Sequence, residues 1–269
     1  MNILMAGTKS ALSQRVRAQL QNKNIALYFK EHKQYQVYDS SRIFYDIKAI
    51  IFDVVIIIST CKKGLDSEVY YSNFIYPMSL LEKLNSDVRI VYLDTTAYEY
   101  RSDAYAVSKK MFNVWLQNSE YFSISIRVEH MYGYYSVDNI TSFLIRKMLL
   151  GEDIDLSVGK QVRSFVHVDD VASAIMVCIE AIKTLTNNTR LDVASDELIS
   201  IKELALTLKH ILKSSSRLNF GAISVSQDEF KSIQFDNSGL KMLQWCESKT
   251  LLCGLEEEVE EVRHEVLGK

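Results

Sequence analysis

The chain has 269 residues, of which 48% are hydrophobic and 24% are charged, and its formal net charge is −3. This composition excludes an intrinsically disordered chain, which would have fewer apolar residues and a larger net charge. The slightly acidic balance argues against nucleic-acid binding, which requires a basic surface. The length is sufficient for one large domain or two closely joined ones.

The cysteines, the apolar segments and the first residues argue against several further classes of protein, namely metal-binding, redox, membrane and secreted proteins. The four cysteines have no CxxC spacing, so we expect neither a zinc site nor a redox pair, and no bound metal. The longest apolar segment, 49–58, is too short to cross a bilayer and contains Asp53, so we expect no membrane partner. The first residues lack the basic region and cleavage site of a secretory signal. Together these features predict a cytoplasmic protein.

Short apolar segments alternate with helical segments, which predicts a parallel sheet flanked by helices. The segment 54–58 is rich in β-branched residues without polar alternation, as is typical of a central strand buried on both faces. The other predicted strands are 3–6, 25–29, 35–38, 89–93, 123–128 and 165–168. The first predicted helix follows the turn at Gly7 and ends near residue 21. The other predicted helices cover 73–84, 104–117, 142–150, 171–182, 200–212 and 255–266. A capping box of Ser200 and Glu203 begins the helix 200–212.

The turn after the first strand is one candidate site. A dinucleotide needs a tight turn, a close backbone approach and a helix N-terminus that faces its pyrophosphate. Here glycine occurs only at Gly7, and Ser10 and Ser13 stand where two more glycines are expected. By itself, this turn is equally consistent with an ordinary connection between a strand and a helix.

A second candidate is the pair Tyr105 and Lys109, which share one face of a predicted helix because they are four residues apart. An ammonium beside a phenol stabilises the phenolate and lowers its pKa from about 10 toward the range of a general acid–base group. Thr96 follows the strand 89–93, at the sheet edge where open α/β folds bind ligands, and would contact the same substrate oxygen. The Tyr–Lys spacing alone arises easily by chance.

Several segments carry longer motifs. They are DVVIIIS at 53–59, an asparagine-to-LLE helix at 73–82, VYLDTTAYEY at 91–100, RVEHMYG at 127–133, QVRSFVHVDDVA at 161–172, LDVAS at 191–195 and DNSGLKMLQW at 236–245. In this order the segments resemble the extended short-chain dehydrogenase/reductase family, and within it the NAD-dependent epimerase/dehydratase group. The resemblance implies an α/β fold, with a Rossmann-type doubly wound parallel sheet and a smaller C-terminal substrate-binding lobe. It assigns 1–128 and 165–195 to the NAD(P)-binding domain, and 129–164 and 196–269 to the lobe.

The resemblance also implies roles for single residues. Tyr105 would be the acid–base residue, Lys109 its partner and a ligand of the nicotinamide ribose, and Thr96 the donor to the substrate oxygen. Arg163 would bind the diphosphate of a nucleotide sugar, with His130 as a further substrate contact. The implied contacts to NAD or NADP are Gly7, Thr8, Lys9, Ser10, Ala11, Leu12, Asp39, Ser40, Ile58, Ser59, Tyr105 and Lys109.

The resemblance further narrows the reaction. Dehydratases of this family place an acidic pair directly after the catalytic threonine, where this chain has Ala97 and Tyr98. We therefore predict an NAD(P)-dependent nucleotide-sugar 4-epimerase or 4-ketoreductase. The alternative is a catalytically weakened member that acts as a nucleotide-binding or regulatory protein, which the glycine-poor turn supports. Relatives often dimerise through the helices 73–84 and 104–117, so we expect a homodimer.

Overall fold

The computed structural model describes residues 1–7, 9–21, 26–30, 50–134 and 139–268. The chain divides into two compact units, each assembled from segments that are distant in sequence. Unit 1 is Met1–Arg127, Ala172–Asp192 and Asn237–Trp245, and unit 2 is Val128–Val171, Val193–Asp236 and Cys246–Lys269. The functions predicted for the two parts of the chain stay predictions.

Unit 1 contains a six-stranded sheet. Its strands are β1 (Asn2–Ala6), β2 (Ala26–Lys30), β3 (Val54–Ile57), β4 (Arg89–Thr95), β5 (Phe122–Val128) and β9 (Thr189–Val193). They lie in the order β2-β1-β3-β4-β5-β9, and β1 pairs in parallel with both β2 and β3, as β3 does with β4. Because parallel neighbours run in the same direction, the chain must cross back over the sheet between them, and such crossovers are usually helices. The predicted α/β class with a Rossmann-type parallel sheet is confirmed.

The helices of unit 1 cover this sheet. They are α1 (Ala11–Gln21), α2 (Asp66–Tyr70), α3 (Tyr76–Leu81), α4 (Ala104–Gln117) and α8 (Ser238–Met242), with a π-helical turn at Tyr71–Ile75 joining α2 to α3. The helix α4 has the predicted bounds, because Asp103 is an N-cap whose carboxylate accepts from the backbone N–H of Ala106 at 3.0 Å. The predicted helix 73–84 instead begins at Asp66 and ends at Leu81.

Large side chains from the helices fill one face of the sheet. The ring of Tyr92 on β4 meets that of Phe112 on α4 edge-on at 4.8 Å, and both rings are buried. Burying a side chain of this size contributes about 1.5–3 kcal/mol. On the two helices expected to dimerise, the apolar residues Tyr76 and Leu80 belong to this core, whereas Met111 is 40% exposed.

Unit 2 has two small sheets and three main helices. Its strands are β6 (His130–Tyr132), β7 (Ile154–Leu156), β8 (Val162–His167), β10 (Leu198–Ser200) and β11 (Leu218–Phe220), and its main helices are α5 (Ile140–Leu149), α7 (Ile201–Leu212) and α9 (Leu251–Leu267). The helix α6 covers Val168–Ala181, and from Ala172 onward it belongs to unit 1. The predicted capping box at Ser200 and Glu203 is confirmed, with Glu203 N–H donating to Ser200 Oγ at 3.1 Å. None of the helices among the described residues combines the length and the apolar character needed to cross a membrane.

A fully buried carboxyl group ties α9 to the rest of unit 2. Oε1 of Glu258 accepts hydrogen bonds from the hydroxyls of Thr141 and Ser142, each at 2.7 Å, and Oε2 accepts from the N–H of Gly133 at 3.3 Å. Burial raises the pKa of Glu258 from 4.5 to about 7, although these hydrogen bonds oppose the shift. Between pH 4.5 and about 7, the carboxyl group of Glu258 is therefore protonated in the folded protein but ionised in the unfolded chain.

This proton predicts a stability that depends on pH. Because the pKa of Glu258 is higher in the folded state, the free energy of unfolding should fall as pH rises from about 4.5 to about 7, by roughly 3 kcal/mol in total. Glu258→Gln should remove this component, since an amide does not ionise and the two hydroxyls can accept from it. Urea denaturation at several pH values measures the difference between variant and parent, with the exposed Glu256→Gln as the matched control. An unchanged pH dependence in Glu258→Gln would contradict the assignment.

Candidate functional site

Tyr105 and Lys109 lie one helical turn apart on α4, as their spacing predicted. The helix is tied to the segment after β3 by Asn73, which lies in the π-helical turn. The Asn73 amide accepts from Cys61 N–H at 2.7 Å and donates to Cys61 O at 2.8 Å and to Ser108 Oγ at 3.0 Å. Ser108 Oγ in turn donates to Tyr105 O at 3.0 Å. These bonds fix the start of α4 beside the end of β3.

The phenol of Tyr105 is nearly buried, with 8% of the residue exposed. Burial raises its pKa, and repulsion from the carboxylate of Asp94 raises it further. Hydrogen bonding with the side chains of Thr95 and Thr60 and attraction to Arg101 lower the pKa, but they do not outweigh burial. Without ligands, this phenol is therefore protonated at neutral pH.

The hydroxyl next to the phenol belongs to Thr95, one residue before the predicted Thr96. Thr95 is the last residue of β4 and hydrogen-bonds with Tyr105, while its Oγ1 also accepts from Ala97 N–H at 3.2 Å. Thr96 is fully buried, and its Oγ1 has no hydrogen-bond partner among the described residues. The structure thus brings Thr95 to the phenol, and the catalytic role predicted for Thr96 stays a prediction. Thr96 and Ala97 follow Thr95, so no acidic pair stands after this threonine either.

The ammonium of Lys109 is directed to strand β4. Its Nζ donates to Leu93 O at 2.6 Å and lies 4.2 Å from the centre of the Tyr92 ring. Burial lowers the pKa of Lys109 to about 8, against an opposing attraction to Asp94. In this conformation the pKa of Tyr105 lies above its ordinary value, because burial outweighs the interactions that lower it.

The turn after β1 supports the predicted cofactor site at the residues that the structure describes. Gly7 has φ +94°, and a Cβ atom there would lie 2.6 Å from the backbone nitrogen of Ser59. Only glycine allows both this conformation and this approach between the ends of β1 and β3. The predicted contacts Thr8, Asp39 and Ser40 lie outside the described residues, as does the predicted strand 35–38.

The two serines that replace glycines are accommodated by hydrogen bonds. Ser10 Oγ accepts from Ser13 N–H at 3.1 Å, and the two hydroxyls are 2.6 Å apart. Ser13 is buried and also donates to Ser10 O at 2.9 Å. Ser10 therefore caps α1, and the helix N-terminus stays directed at the turn, an arrangement that suits an anion. Of the other predicted contacts, Lys9 lies in this turn, Ala11 and Leu12 begin α1, and Ile58 directly follows β3. The residues present fit a dinucleotide.

In unit 2, the guanidinium of Arg163 is 4% exposed and contacts other parts of that unit. It forms an ion pair with Glu129 at 3.3 Å, and it donates to Lys231 O at 3.1 Å and to Glu229 O. These contacts favour a role in holding the segment 229–231 against β8. The half-buried His130 ring packs edge-on against Phe165 at 5.0 Å.

A cluster of ligand-type side chains in unit 2 consists of His167, Asp169 and Glu257, whose nearest ligand atoms lie within 4.8 Å of one another. The ammonium of Lys249 hydrogen-bonds to Glu257 and lies 3.8 Å from Asp169. The positive charge at this cluster is thus supplied by the protein itself, and we assign no metal to it.

Known proteins resemble this chain in both sequence and fold. A CDP-abequose synthase of Salmonella muenchen is 28% identical over 192 residues, which cover 66% of this chain and 65% of that protein. A second CDP-abequose synthase, from Salmonella typhimurium, is 25% identical over 204 residues, covering 69% and 67%. The chain therefore spans about two thirds of the length of these relatives.

Solved structures share the fold at lower identity. UDP-glucose 4-epimerase from Thermotoga maritima has a TM-score of 0.82 at 19% identity, covering 99% of this chain and 100% of that one. RMD from Pseudomonas aeruginosa, complexed with NADPH, has a TM-score of 0.80 at 15% identity, covering 98% and 99%. A sequence profile of the NAD dependent epimerase/dehydratase family matches residues 50–194. Because this match spans more than half of the 269 residues, the chain belongs to the NAD dependent epimerase/dehydratase family, as its motifs predicted.

Proposed function

We propose that this chain is an NAD(P)-dependent enzyme that transfers a hydride at C4 of a nucleotide-diphosphate sugar, as a 4-ketoreductase or a 4-epimerase. The observation that carries the proposal is the buried phenol of Tyr105 beside Thr95 at the carboxyl end of β4. Open α/β sheets bind their ligands at this end of the strands. The names of the relatives support a nucleotide-sugar substrate, since they are CDP-abequose synthases and a UDP-glucose 4-epimerase.

Three side chains have distinct tasks in this proposal. Tyr105 passes a proton to or from the sugar oxygen, Thr95 donates a hydrogen bond to that oxygen, and Lys109 supplies positive charge that stabilises the phenolate. Because burial keeps the phenol protonated at neutral pH, it is ready to protonate the oxygen of a 4-keto group. The ligand-free state is thus suited to the reductive direction.

NAD or NADP, when bound, supplies the hydride donor or acceptor at its nicotinamide ring. Gly7, the N-terminus of α1 and Ser59 would hold its diphosphate. The sequence from the end of β2 onward carries signals for both cofactors. Glu31 favours the free ribose hydroxyl of NAD, whereas Lys30 and Lys33 favour the 2′-phosphate of NADP. In the lobe, His130 would contact the sugar nucleotide, and Arg163 would act by holding the segment 229–231.

The proposal is tested with purified protein, NADH or NADPH, and a panel of CDP-, UDP-, dTDP- and GDP-linked 4-keto and 4-hydroxy sugars. A 4-ketoreductase should consume one reduced cofactor for each sugar, whereas a 4-epimerase should interconvert sugars with no net consumption. If no sugar turns over, and no hydride exchange occurs between labelled cofactor and sugar, the proposal is rejected.

The second candidate is a nucleotide-binding or regulatory protein that has lost the reaction. It is favoured by the direction of Lys109, whose ammonium donates to Leu93 O in this structure. Such a protein would bind NAD(P) without exchanging hydride, so isotopic exchange separates it from an enzyme where cofactor binding alone does not.

The assignment of Thr95 predicts a contrast between two isosteric variants. Thr95→Val should lower kcat/KM by about a hundredfold, because it removes a donor to the reacting oxygen. Thr96→Val should leave kcat/KM within a few-fold, because the Thr96 hydroxyl has no partner among the described residues. Steady-state kinetics on the best sugar of the panel measures both, and the reverse pattern would return the role to Thr96.

The predicted homodimer remains part of the proposal. On α4, Met111 and Val114 are 40% and 51% exposed, and they offer an apolar surface for a second copy. Sedimentation equilibrium of the parent and of Val114→Glu would test this association.

A further inference from the structure

Asp94 is a buried acidic residue within the proposed site to which the family motif gives no role. It lies on β4 between Leu93 and Thr95, and only 3% of it is exposed. Its Oδ2 accepts from the hydroxyl of Tyr98 at 2.7 Å. Its Oδ1 is buried and has no hydrogen-bond partner within the described ranges. A buried carboxylate oxygen without a donor is costly, so such a group needs another source of stabilisation.

Three consecutive residues of β4 interact with Lys109 or Tyr105 of α4. The carbonyl of Leu93 accepts from Lys109 Nζ at 2.6 Å, and the hydroxyl of Thr95 hydrogen-bonds with Tyr105. Asp94, between them, interacts electrostatically with both of these side chains. The end of β4 thus places the buried carboxyl group of Asp94 between the two residues that contact the ammonium and the phenol of the proposed reaction.

The charge of Asp94 acts on both groups in the same direction. Burial lowers the pKa of Lys109 to about 8, and attraction to Asp94 opposes that shift. Burial raises the pKa of Tyr105, and repulsion from Asp94 adds to that shift. Burial also raises the pKa of Asp94. Attraction to Lys109, hydrogen bonding with the Tyr98 side chain and the Thr95 backbone, and attraction to Arg127 lower it, but they do not outweigh burial. The ionisable groups that act on Asp94, Lys109 or Tyr105 are Tyr92, Tyr98, Arg101, Arg127 and Lys62.

We propose that Asp94 is a positioning residue whose buried negative charge keeps Lys109 an ammonium and Tyr105 a protonated phenol until the sugar is bound. The proposal rests on the hydride-transfer function argued above. It gives a reason for a buried carboxylate in the strand beside Lys109 and Tyr105, where a neutral residue would avoid the cost of burying a charge. It also predicts that both pH limits of the reaction depend on this carboxylate.

The test is the isosteric Asp94→Asn variant, assayed for oxidation of a 4-hydroxy sugar as a function of pH. In this direction kcat rises as Tyr105 loses its proton and falls as Lys109 loses its own. Removing the negative charge should lower both pKa values, so both limbs should move to lower pH by about one unit. A residue with only a structural role would lower kcat and leave both limbs in place, which would overturn the proposal. Asp87→Asn, on the exposed turn before β4, makes the same charge change elsewhere and should shift neither limb.

A second measurement needs no turnover. The ultraviolet absorbance of tyrosinate, taken as the difference between the parent and Tyr105→Phe, reports the ionisation of Tyr105. The same difference in the Asp94→Asn background should titrate about one pH unit lower. If Asp94→Asn does not fold, Asp94→Ser removes the same charge and should shift the titration in the same direction. An unchanged titration overturns the role of Asp94, whereas absent turnover with a shifted titration overturns only the proposed reaction.

Discussion

Tyr105→Phe is expected to lower kcat about a thousandfold in both directions of the proposed reaction, since it removes the group that transfers the proton. Binding of NAD(P)H should change little, because the ring of Tyr105 and its packing against Ala97 and Ala106 are retained. The free energy of unfolding should fall by at most about 1 kcal/mol, the typical contribution of one hydrogen bond. Single-turnover kinetics and a fluorescence titration with NAD(P)H separate the chemical step from binding.

The matched control is Tyr121→Phe, which also removes one tyrosine hydroxyl from unit 1. The hydroxyl of Tyr121 donates to Leu81 O at 2.8 Å. This variant should lose about 1 kcal/mol of stability and retain full activity. Equal activity in the parent and in Tyr105→Phe would show that the phenol has no part in catalysis, and the enzymatic proposal would then fail.

Much of the fold was predictable because buried parallel strands and amphipathic helices have clear patterns. The strand Val54–Ile57 was predicted to within one residue, and Ala104–Gln117 at both ends. The early start of the helical segment at Asp66 was missed because Leu65, before it, has no side-chain oxygen to act as an N-cap. Three-residue strands such as Ile154–Leu156 and Leu218–Phe220 were also missed, since they are too short to show a period.

The site was predictable in outline but not to the residue. Helical spacing was enough to bring Tyr105 and Lys109 to one face of α4. The strand before them was predicted to end at residue 93, whereas β4 continues to Thr95, which places the hydroxyl of Thr95 rather than that of Thr96 beside the phenol. The direction of the Lys109 side chain depends on Leu93 O and Asp94, which are contacts of the folded chain. Sequence patterns alone do not contain that information.

Arg127→Met is expected to destabilise unit 1 by about 3–5 kcal/mol, because it leaves a buried carboxylate without its partner. Arg127 lies near the end of β5, and Asp192 lies on the neighbouring strand β9. Arg127 Nε and Nη2 donate to the two oxygens of Asp192 at 2.8 and 2.6 Å, and both side chains are about 95% buried. Nη1 also pairs with Glu99, in the turn that follows Thr96. Urea denaturation measures the loss.

A double-mutant cycle separates the interaction energy of Arg127 and Asp192 from the cost of leaving one buried charge without the other. Asp192→Leu combined with Arg127→Met removes both charges and should recover at least about 2 kcal/mol relative to Arg127→Met alone. The guanidinium of Arg190, 3.8 Å from Asp192, is exposed and should compensate little. Additive losses in the double variant would show that the two side chains are not coupled. Arg127 also pairs with Glu99 in the turn after β4, and the double variant still lacks that contact. We therefore expect the double variant to recover less activity than stability, which would show that the Arg127–Glu99 pair positions this turn.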